Sequence, residues 1–343
     1  MAIEKLNIED FLSLSQPHPV LDVRSPGEYI HAHIPGAYNL PLFNDEERKT
    51  VGTLYKQQGR ETAIKTGLDI FGLKMSRMVE EVENFAGKDR IILIHCWRGG
   101  MRSAGVAWLM DLYGFRVYTL TGGYKKFRRY VLETFSMPLH FKILGGYTGS
   151  GKTRVLKELK KQDELIIDLE EIAQHKGSAF GALEGKAQPS QEMFENLLAT
   201  ELRKLGSGCA WLEDESQRIG LLNIPPEIWK KMRASPLYFL EIPFEERLIN
   251  ITAEYGNGDQ EKIADSILRI QKRLGGLETK NAMRFLQEGN VKECFRVLLR
   301  YYDKCYLNGL DNREGIKEQP QKLAFEKIDV FDNAQKLLNF QYA

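Results

Sequence analysis

The sequence predicts an α/β protein in which a parallel-sheet domain precedes a second α/β domain with a helical C-terminal part. Two strand–turn–helix patterns support this fold class. The apolar run 91–94 leads into a glycine-rich turn and then into apolar residues at helical spacing from Ala104 to Leu112. The strand "HFKILGG" leads into "GYTGSGKT" and the helix "RVLKELKK". A chain of 343 residues is long enough to form two cores.

The domain boundary is predicted from a break in the pattern between the two units. Met137-Pro138 interrupts the chain shortly after a basic and aromatic stretch. We therefore predict domains at 1–137 and 138–343. From about Ile263 onward the pattern is helical.

Composition limits the possible classes of function. The net charge is +1, so a surface that binds nucleic acid must be a local patch. No segment has the apolar length of a membrane helix, and the first residues carry early acids without a signal-peptide core. The four cysteines lack C-x-x-C spacing, which argues against a disulfide framework and a zinc site. We expect a cytoplasmic protein.

Cys96 lies at the turn between the first apolar strand and its helix. The backbone N–H groups of such a turn, with two nearby arginines, predict an anion-binding site and a thiol of lowered pKa. The predicted catalytic residues are Cys96, Arg98 and Arg102, and the predicted ligand-binding residues are Trp97, Gly99 and Gly100. The alternative is a small buried core cysteine. That alternative fits the other three cysteines: Cys209, Cys294 and Cys305.

Motifs upstream of Cys96 resemble a known domain. The segments "LDVRSPGEY" and "HIPGA" precede the strand that ends in the cysteine loop. These three motifs, over about residues 10–135, resemble the rhodanese-like domain, which implies a cysteine that accepts a chalcogen atom as a persulfide-type intermediate. The loop from Cys96 to Arg102 has the form H-C-x5-R, one residue longer than in sulfur-transferring rhodaneses. A longer loop suits a tetrahedral phosphate-type anion or a selenium atom, and cysteine phosphatases have the same spacing.

The second domain contains a P-loop. "GYTGSGKT" matches G-x4-G-K-[ST] between a strand and a helix, as in P-loop NTPase-like domains. Its backbone N–H groups wrap a phosphate chain, Lys152 reaches the terminal phosphates as a catalytic residue, and the Thr153 hydroxyl can hold Mg²⁺. The predicted ligand-binding residues are Gly146, Tyr147, Thr148, Gly149, Ser150, Gly151 and Thr153.

Two apolar strands of this domain end in acidic residues. "ELIID" ends in Asp168, and "CAWLEDE" ends in three consecutive acids with Asp214 at their centre. One of these carboxylates is predicted to orient the metal or its waters, as a Walker-B acid does. Asp168 also fits a second role, as the N-cap of the helix that follows it.

Basic and aromatic residues form two candidate RNA-binding groups. The group near the domain boundary comprises Lys125, Lys126, Arg128 and Arg129, and we predict that it contacts an RNA backbone. The group on the C-terminal helices comprises Arg296, Arg300, Tyr301 and Tyr302. The second group suits RNA stacking, but we interpret it as a solvated helix face, the commoner role of such residues.

Five segments in chain order carry a closer resemblance: "VGTLYKQQGRETAIKTG", "CWRGGMRS", "GGYTGSGKT", "DLEEIAQHKGSAFG" and "LEDESQRIG". With the domain order, they resemble the bacterial tRNA 2-selenouridine synthases nearly from end to end. The resemblance implies that 2-thiouridine at the tRNA wobble position becomes 2-selenouridine, with selenophosphate as selenium donor. It also implies an S-geranylated intermediate made from geranyl diphosphate, whose diphosphate a P-loop can hold as readily as that of ATP.

Two other functions fit parts of the sequence. One is a cysteine phosphatase fused to a P-loop kinase, although no general-acid aspartate is evident in or just after the cysteine loop. The other is a non-catalytic rhodanese-like module that regulates a P-loop ATPase. Such modules often lose their cysteine, so the retained Cys96 argues against the second alternative.

Overall fold

The structure, a computed structural model, describes residues 3–175, 187–256, 259–311 and 320–341. The end of the motif "DLEEIAQHKGSAFG", from residue 176 onward, lies outside these ranges.

The chain divides into two compact units: Met1–Thr134 with Ser190–Thr200, and Phe135–Pro189 with Glu201–Ala343. The first division falls close to the Met137-Pro138 break. The return of a segment near residue 190 to the first unit had no signal in the sequence.

The described part of the first unit contains a five-stranded parallel sheet in the order β1-β5-β4-β2-β3. Its strands are β1 (Glu4–Leu6), β2 (Val20–Asp22), β3 (Tyr38–Asn39), β4 (Ile91–His95) and β5 (Arg116–Leu120). Its helices are α1 (Ile8–Leu14), α2 (Pro26–His31), α3 (Asp45–Gln57), α4 (Arg60–Gly72), α5 (Met75–Glu83), α6 (Met101–Tyr113) and α7 (Gly123–Ser136), the last of which continues into the second unit.

The central strand β4 explains the apolar run seen in the sequence. A strand between two neighbours in a parallel sheet is covered on both faces, so it needs apolar side chains in every position. Ile92 and Ile94 are fully buried in one core with Val106 of α6 and Phe115. This packing places Cys96 at the carboxyl end of β4, the edge where α/β sheets carry ligand groups.

The second unit is built on a four-stranded parallel sheet, in the order β11-β10-β6-β7 within the described residues. Its strands and one short hairpin are β6 (His140–Gly146), β7 (Cys209–Glu213), β8 (Arg218–Ile219), β9 (Leu222–Asn223), β10 (Leu237–Glu241) and β11 (Gln321–Ala324). Its helices are α8 (Lys152–Lys161), α9 (Leu169–Ala173), α10 (Gln191–Lys204), α11 (Pro226–Ala234), α12 (Phe244–Tyr255), α13 (Gln260–Leu274), α14 (Gly276–Gln287), α15 (Val291–Asp311) and α16 (Val330–Gln341); α10 begins in the first unit.

The helical C-terminal part is confirmed, with one correction. Helices α13 to α15 follow Ile263 as predicted, but β11 is a strand, paired in parallel with β10 from Tyr238 opposite Gln321 to Glu241 opposite Ala324. A four-residue edge strand has too few residues to show a periodic pattern, so sheet pairing rather than local sequence decides its conformation. In the described ranges, no helix is both long and apolar enough to cross a membrane.

The start of α10 is fixed to the first unit through polar contacts. The fully buried Asn196 donates to the His33 carbonyl and to the Tyr124 hydroxyl, both at 2.9 Å. Its amide oxygen accepts from Arg128 at 2.5 Å, and Arg128 also pairs with Glu195. A single side chain of α10 therefore satisfies polar groups of α7 and of the loop after α2.

We predict that Asn196→Ala destabilises the first unit, because the His33 carbonyl, the Tyr124 hydroxyl and Arg128 each lose one hydrogen bond, at about 0.5–1.5 kcal/mol each. Hydrogen exchange of the β4 and α7 amides, measured by mass spectrometry, reports the local free energy of opening. The exposed Asn84→Ala is the control, with an expected change within about 0.5 kcal/mol. Equal protection in both variants would contradict the prediction.

Candidate active sites

The loop after Cys96 is shaped by main-chain contact with the start of α7. The Cys96 carbonyl accepts from the Tyr124 N–H at 2.9 Å, and the Trp97 carbonyl accepts from the Lys125 N–H at 3.0 Å. Gly123 has φ 59°, and a Cβ there would lie 2.3 Å from the Cys96 oxygen. Only glycine fits such an approach. The loop carbonyls thus bond back to α7.

Gly99 is constrained in the same way. It has φ 66°, and a Cβ would meet the Leu120 carbonyl oxygen at 2.7 Å. Gly100 follows as the N-cap residue of α6. Gly99 therefore lets the backbone turn around the thiol, whereas a Cβ at Gly100 would meet no atom within 4 Å.

The Cys96 thiol faces donors that favour its ionised form. Burial by itself raises the pKa of the thiol. The Ser103 hydroxyl, 3.2 Å from Sγ, and the backbone N–H groups of Ser103, Arg98 and Gly100 outweigh burial and hold the pKa of Cys96 below its ordinary value of 9.0. The structure thus supports an acidic thiol at this position, with Ser103 as a contributor that the sequence analysis missed.

The two arginines of the loop have contacts that the sequence did not indicate. Arg98 acts on the thiol through its main-chain N–H, and Arg102 donates to Glu28 at 2.8 Å. Arg48 contacts the same carboxylate at 2.9 Å. Burial opposes ionisation of Glu28, but Arg102, the Ser25 N–H and Arg48 hold its pKa below the ordinary range. The largest effects on the thiol come from main-chain donors and a hydroxyl, and Glu28 positions Arg102 beside the loop.

A buried ion pair supports the loop from below. Asp22 and Arg24 are both buried, and the guanidinium binds the carboxylate through Nε at 3.0 Å and Nη2 at 2.6 Å. Arg24 also donates to the Ala32 carbonyl and lies 3.8 Å from the centre of the Tyr124 ring. Trp97, half-exposed, packs on the same tyrosine. The floor of the cysteine loop is therefore rigid.

The P-loop surrounds one end of a cavity of about 950 Å³ in the second unit. Gly149 and Gly151 have φ 80°, as a loop that turns its N–H groups inward requires. Lys152 Nζ donates to the Gly146 carbonyl at 3.1 Å. Aromatic residues also line this cavity, among them Trp229, Tyr255 and Tyr302. The site combines an anion-binding loop with aromatic side chains.

Of the three acids at the carboxyl end of β7, Glu213 contacts the P-loop. The Thr153 hydroxyl donates to Glu213 Oε1 at 2.6 Å. Burial raises the pKa of Glu213, against the effects of Lys152 and Thr153. Glu215 also lines the cavity, and burial together with Glu213 raises its pKa well above the ordinary value. A carboxylate one residue before the predicted Asp214 therefore has the Walker-B position.

The two predicted acids have other partners. Asp214 accepts from the Tyr306 hydroxyl at 2.7 Å and lies 3.8 Å from Arg233, although it also lines the cavity. Asp168 is the N-cap of α9 and accepts from the Glu171 N–H at 2.9 Å. The observed contact of Asp168 is thus that of a helix N-cap, the second of its two predicted roles.

Helix α12 supports the P-loop through contacts that no sequence motif indicated. Arg247 is buried, pairs with Asp303 through two bonds of 2.8 Å, and donates to the Thr148 carbonyl at 3.2 Å. Asn250 donates to the Gly149 carbonyl at 2.9 Å. These bonds fix loop carbonyls outward and leave the loop N–H groups directed at a ligand.

The residues around Thr153 fit Mg²⁺. The ion prefers hard oxygen ligands and is usually held by one or two protein groups together with substrate phosphates and water. The Thr153 hydroxyl and the Glu213 carboxylate are such groups, and they are in direct contact. The described residues contain no cluster of three or more histidine, cysteine or acidic side chains suited to a metal. This donor set matches an ion that arrives with a diphosphate.

The structure separates the members of the two predicted RNA-binding groups. Lys125, Lys126 and Arg129 are exposed on α7, whereas Arg128 is bound by Asn196 and Glu195. On α15, Arg296 pairs with Glu293 at 3.1 Å, and Tyr301 and Tyr302 pack against a hydrophobic cluster. The exposed α7 residues therefore remain the candidate RNA contact, and Arg128 is structural.

Comparison with known proteins identifies the family. A model described as the tRNA 2-selenouridine synthase AAA domain matches residues 139–319, and one described as the Rhodanese-like domain matches residues 7–130. A tRNA 2-selenouridine synthase of Bdellovibrio bacteriovorus is 34% identical, covering 91% of this chain and 94% of its own length. The chain belongs to the tRNA 2-selenouridine synthase family. A synthase of the same name from Pseudomonas putida is 39% identical over 75% of each chain. As a family member, the protein is a tRNA-modifying enzyme, which disfavours both alternative functions.

The lowered pKa of Cys96 makes a prediction about pH. Alkylation by iodoacetamide requires the thiolate, so its rate rises with pH and is half-maximal at the thiol pKa. We predict a midpoint below 9.0 for Cys96, and higher midpoints for Cys209 and Cys294, whose thiols have pKa values raised by burial. Peptide mass spectrometry of the folded protein measures each midpoint, which reports the thiol pKa even where restricted access slows the absolute rate.

Ser103→Ala removes the hydroxyl donor and is expected to raise the Cys96 midpoint, whereas the exposed Ser76→Ala is a control without effect. A Cys96 midpoint equal to those of the other thiols would show that the loop does not favour the thiolate.

Proposed function

We propose that this enzyme converts 2-thiouridine at the wobble position of tRNA to 2-selenouridine in two steps, through an S-geranylated intermediate. The main support is the presence of two separate anion-binding loops. One carries the Cys96 thiol, whose pKa is lowered, and the other carries Lys152 and Thr153 beside a cavity lined in part by aromatic residues. Geranyl diphosphate and selenophosphate are both anions with a phosphate group, so each loop has a matching co-substrate.

The first step is assigned to the P-loop cavity. The C2 sulfur of 2-thiouridine forms a bond to C1 of the geranyl group, the carbon–oxygen bond to diphosphate breaks, and the N3 proton is lost. Lys152 and the loop N–H groups stabilise the charge on the leaving diphosphate. Mg²⁺, when bound by Thr153 and Glu213, supplies further positive charge to the diphosphate. The aromatic residues Trp229 and Tyr255 offer an apolar surface for the prenyl chain.

Alkylation prepares C2 for substitution. The C2 sulfur of 2-thiouridine is a poor leaving group, whereas an S-alkyl group leaves as a thiol. Geranylation therefore converts an inert position into one that a chalcogen nucleophile can attack.

The second step is assigned to the cysteine loop. The Cys96 thiolate forms a bond to C2 and expels geranylthiolate, which takes up a proton. Selenium of selenophosphate then displaces Cys96 from C2, and water takes the phosphoryl group as phosphate. Selenium stays at the selenide level throughout, so this sequence needs no reductant. A persulfide-type intermediate on Cys96 would require a two-electron oxidant to form from selenide-level selenium and a reductant to release the selenium again. The loop N–H groups and Arg102 hold the phosphate of the donor.

The two steps should be separable by mutation. We predict that Lys152→Ala lowers S-geranylation by about 100-fold or more, because it removes the charge that stabilises diphosphate. Unmodified 2-thiouridine then persists. Cys96→Ser leaves the P-loop intact, so geranylated tRNA accumulates and 2-selenouridine is absent. Nucleoside mass spectrometry of digested tRNA, after incubation with both co-substrates and Mg²⁺, quantifies the three species.

Two conservative variants are the controls for these mutants: Lys160→Ala on the exposed end of α8, and Cys209→Ser at the start of β7. Both should give the wild-type product distribution. Wild-type production of 2-selenouridine by Cys96→Ser, or geranylation by Lys152→Ala at the wild-type rate, would show that the corresponding step is wrongly assigned.

We predict that the exposed residues of α7 contribute to tRNA affinity. Lys125→Glu with Arg129→Glu should weaken tRNA binding and reduce the slope of log K against log salt by about 1–2, since fewer phosphate contacts release fewer counterions. Lys5→Glu with Lys88→Glu makes the same change in net charge on other exposed positions of the first unit and is the control. Identical slopes in the two double variants would place the α7 residues outside the RNA contact.

A further inference from the structure

A second cavity, of about 720 Å³, lies in the first unit. It is bordered by α3, α4 and the first two turns of α6. Apolar side chains form most of its wall, including Val51, Ile64, Leu68, Phe71 and Trp108. We call it the α3–α4 cavity. Its volume is that of a small-molecule site.

Several of its apolar residues are exposed. Leu68 is 57% exposed, Met101 57% and Trp108 51%, although Phe71 at the base of the cavity is buried in the core. Large apolar side chains grouped around one concavity indicate a surface that a ligand covers. The three exposed residues come from two different helices, α4 and α6, and line the same cavity.

The rim of the cavity is cationic. Arg48, Lys49, Lys56 and Arg102 all line it. One carboxylate, that of Glu28, accepts from both Arg102 and Arg48. An apolar interior beneath a positive rim is complementary to a hydrocarbon chain attached to a polyanion, and RNA is the polyanionic substrate of this family.

The cavity is continuous with the cysteine loop. Met101 and Arg102 line the cavity and are also the last residues of the loop, and the next residue, Ser103, contacts the Cys96 sulfur. From Met101 to Trp108 the α6 helix rises about 10 Å. A chain of two isoprene units has a comparable length. A group attached to C2 of a nucleoside at the thiol would therefore enter this cavity with its far end near Trp108.

We propose that the α3–α4 cavity binds the isoprenyl tail of the S-geranylated nucleoside while its C2 atom lies at Cys96. This inference rests on the proposed function and assigns a specificity site to its second step. Binding of the tail explains how the cysteine loop acts on alkylated 2-thiouridine and not on the unmodified nucleoside. The same contact orients the sulfur that is to leave.

The test measures discrimination between two RNAs. Anticodon stem-loops that carry either S-geranyl-2-thiouridine or S-methyl-2-thiouridine are titrated onto the full chain, and the ratio of the two dissociation constants is determined. We expect the wild-type enzyme to prefer the geranylated RNA by tenfold or more. Gly52→Phe should reduce this ratio to near one, because Gly52 lines the cavity and a Cβ there meets no atom within 4 Å.

Matched variants distinguish a loss of tail binding from a folding defect. Gly72→Phe also adds a ring to an open helical glycine, but one outside the cavity lining, and should keep the wild-type ratio. Leu68→Asp places a charge in the cavity, and Leu73→Asp places the same charge on a residue that is 91% exposed and outside the lining. Neither substitution removes a buried core side chain, so both variants should keep the fold. Only Leu68→Asp should lose the preference for the geranylated RNA.

Each outcome has one interpretation. Loss of the preference in Gly52→Phe and Leu68→Asp, but not in their controls, supports the proposal. A wild-type preference that survives both variants overturns the cavity assignment and leaves the two-step function intact. A change in oligomeric state with Leu68→Asp, without a change in the ratio, means that a second copy of the chain covers the cavity, which also overturns it. If the wild-type enzyme forms no geranylated nucleoside in the product assay, the proposed function itself fails.

Discussion

The cysteine loop depends on a contact between two main-chain segments that leaves no space for a side chain. Gly123 approaches the Cys96 carbonyl so closely that a Cβ would lie 2.3 Å from the oxygen. The approach lets α7 donate its first N–H groups to the loop carbonyls, so the N–H groups of Arg98 and Gly100 are directed toward the thiol. The partial positive charge of these backbone N–H groups is fixed by backbone geometry. It does not depend on protonation, and it needs no rearrangement when an anion arrives.

The two loops are supported in the same manner although they lie in different units. Beneath the cysteine loop, Arg24 binds Asp22 through two nitrogens and stacks on Tyr124; beneath the P-loop, Arg247 binds Asp303 through two nitrogens and lies 4.8 Å from the Tyr147 ring. Removing one partner of a buried ion pair typically costs about 3–5 kcal/mol. The Asp22–Arg24 pair is fully buried, so this cost applies to the support of the cysteine loop; Asp303 is partly exposed, so the corresponding cost at the P-loop is smaller.

Much of the fold and of the two candidate sites was predictable from the sequence, because strong local patterns coincide with the sites. The apolar strand before Cys96, the P-loop consensus and the helical C-terminal part all follow from short-range sequence. The supporting residues Glu213 and Arg247 were not predictable, because they act through side-chain contacts with distant positions in the chain. Ser103 is near Cys96 in the chain, but no motif marks its hydroxyl as a partner of the thiol. Local sequence also does not decide the role of Asp168, because an acid at the end of a strand fits a helix N-cap as well as a metal site. The edge strand β11 could not be predicted, because a strand of four residues is too short to show a periodic hydrophobic pattern.

The segment Ser190–Thr200 gives the chain an unusual order of assembly. It completes the first unit, but it is synthesised after residues 135–189 of the second. While the ribosome translates that stretch, Tyr124 and Arg128 are without Asn196. Proteins generally fold from the N-terminus as they emerge, one unit at a time. Here the helix that holds the cysteine loop reaches its final contacts only after the P-loop has left the ribosome. A nascent chain therefore acquires its ordered reactive thiol only once it already contains the P-loop of the second unit.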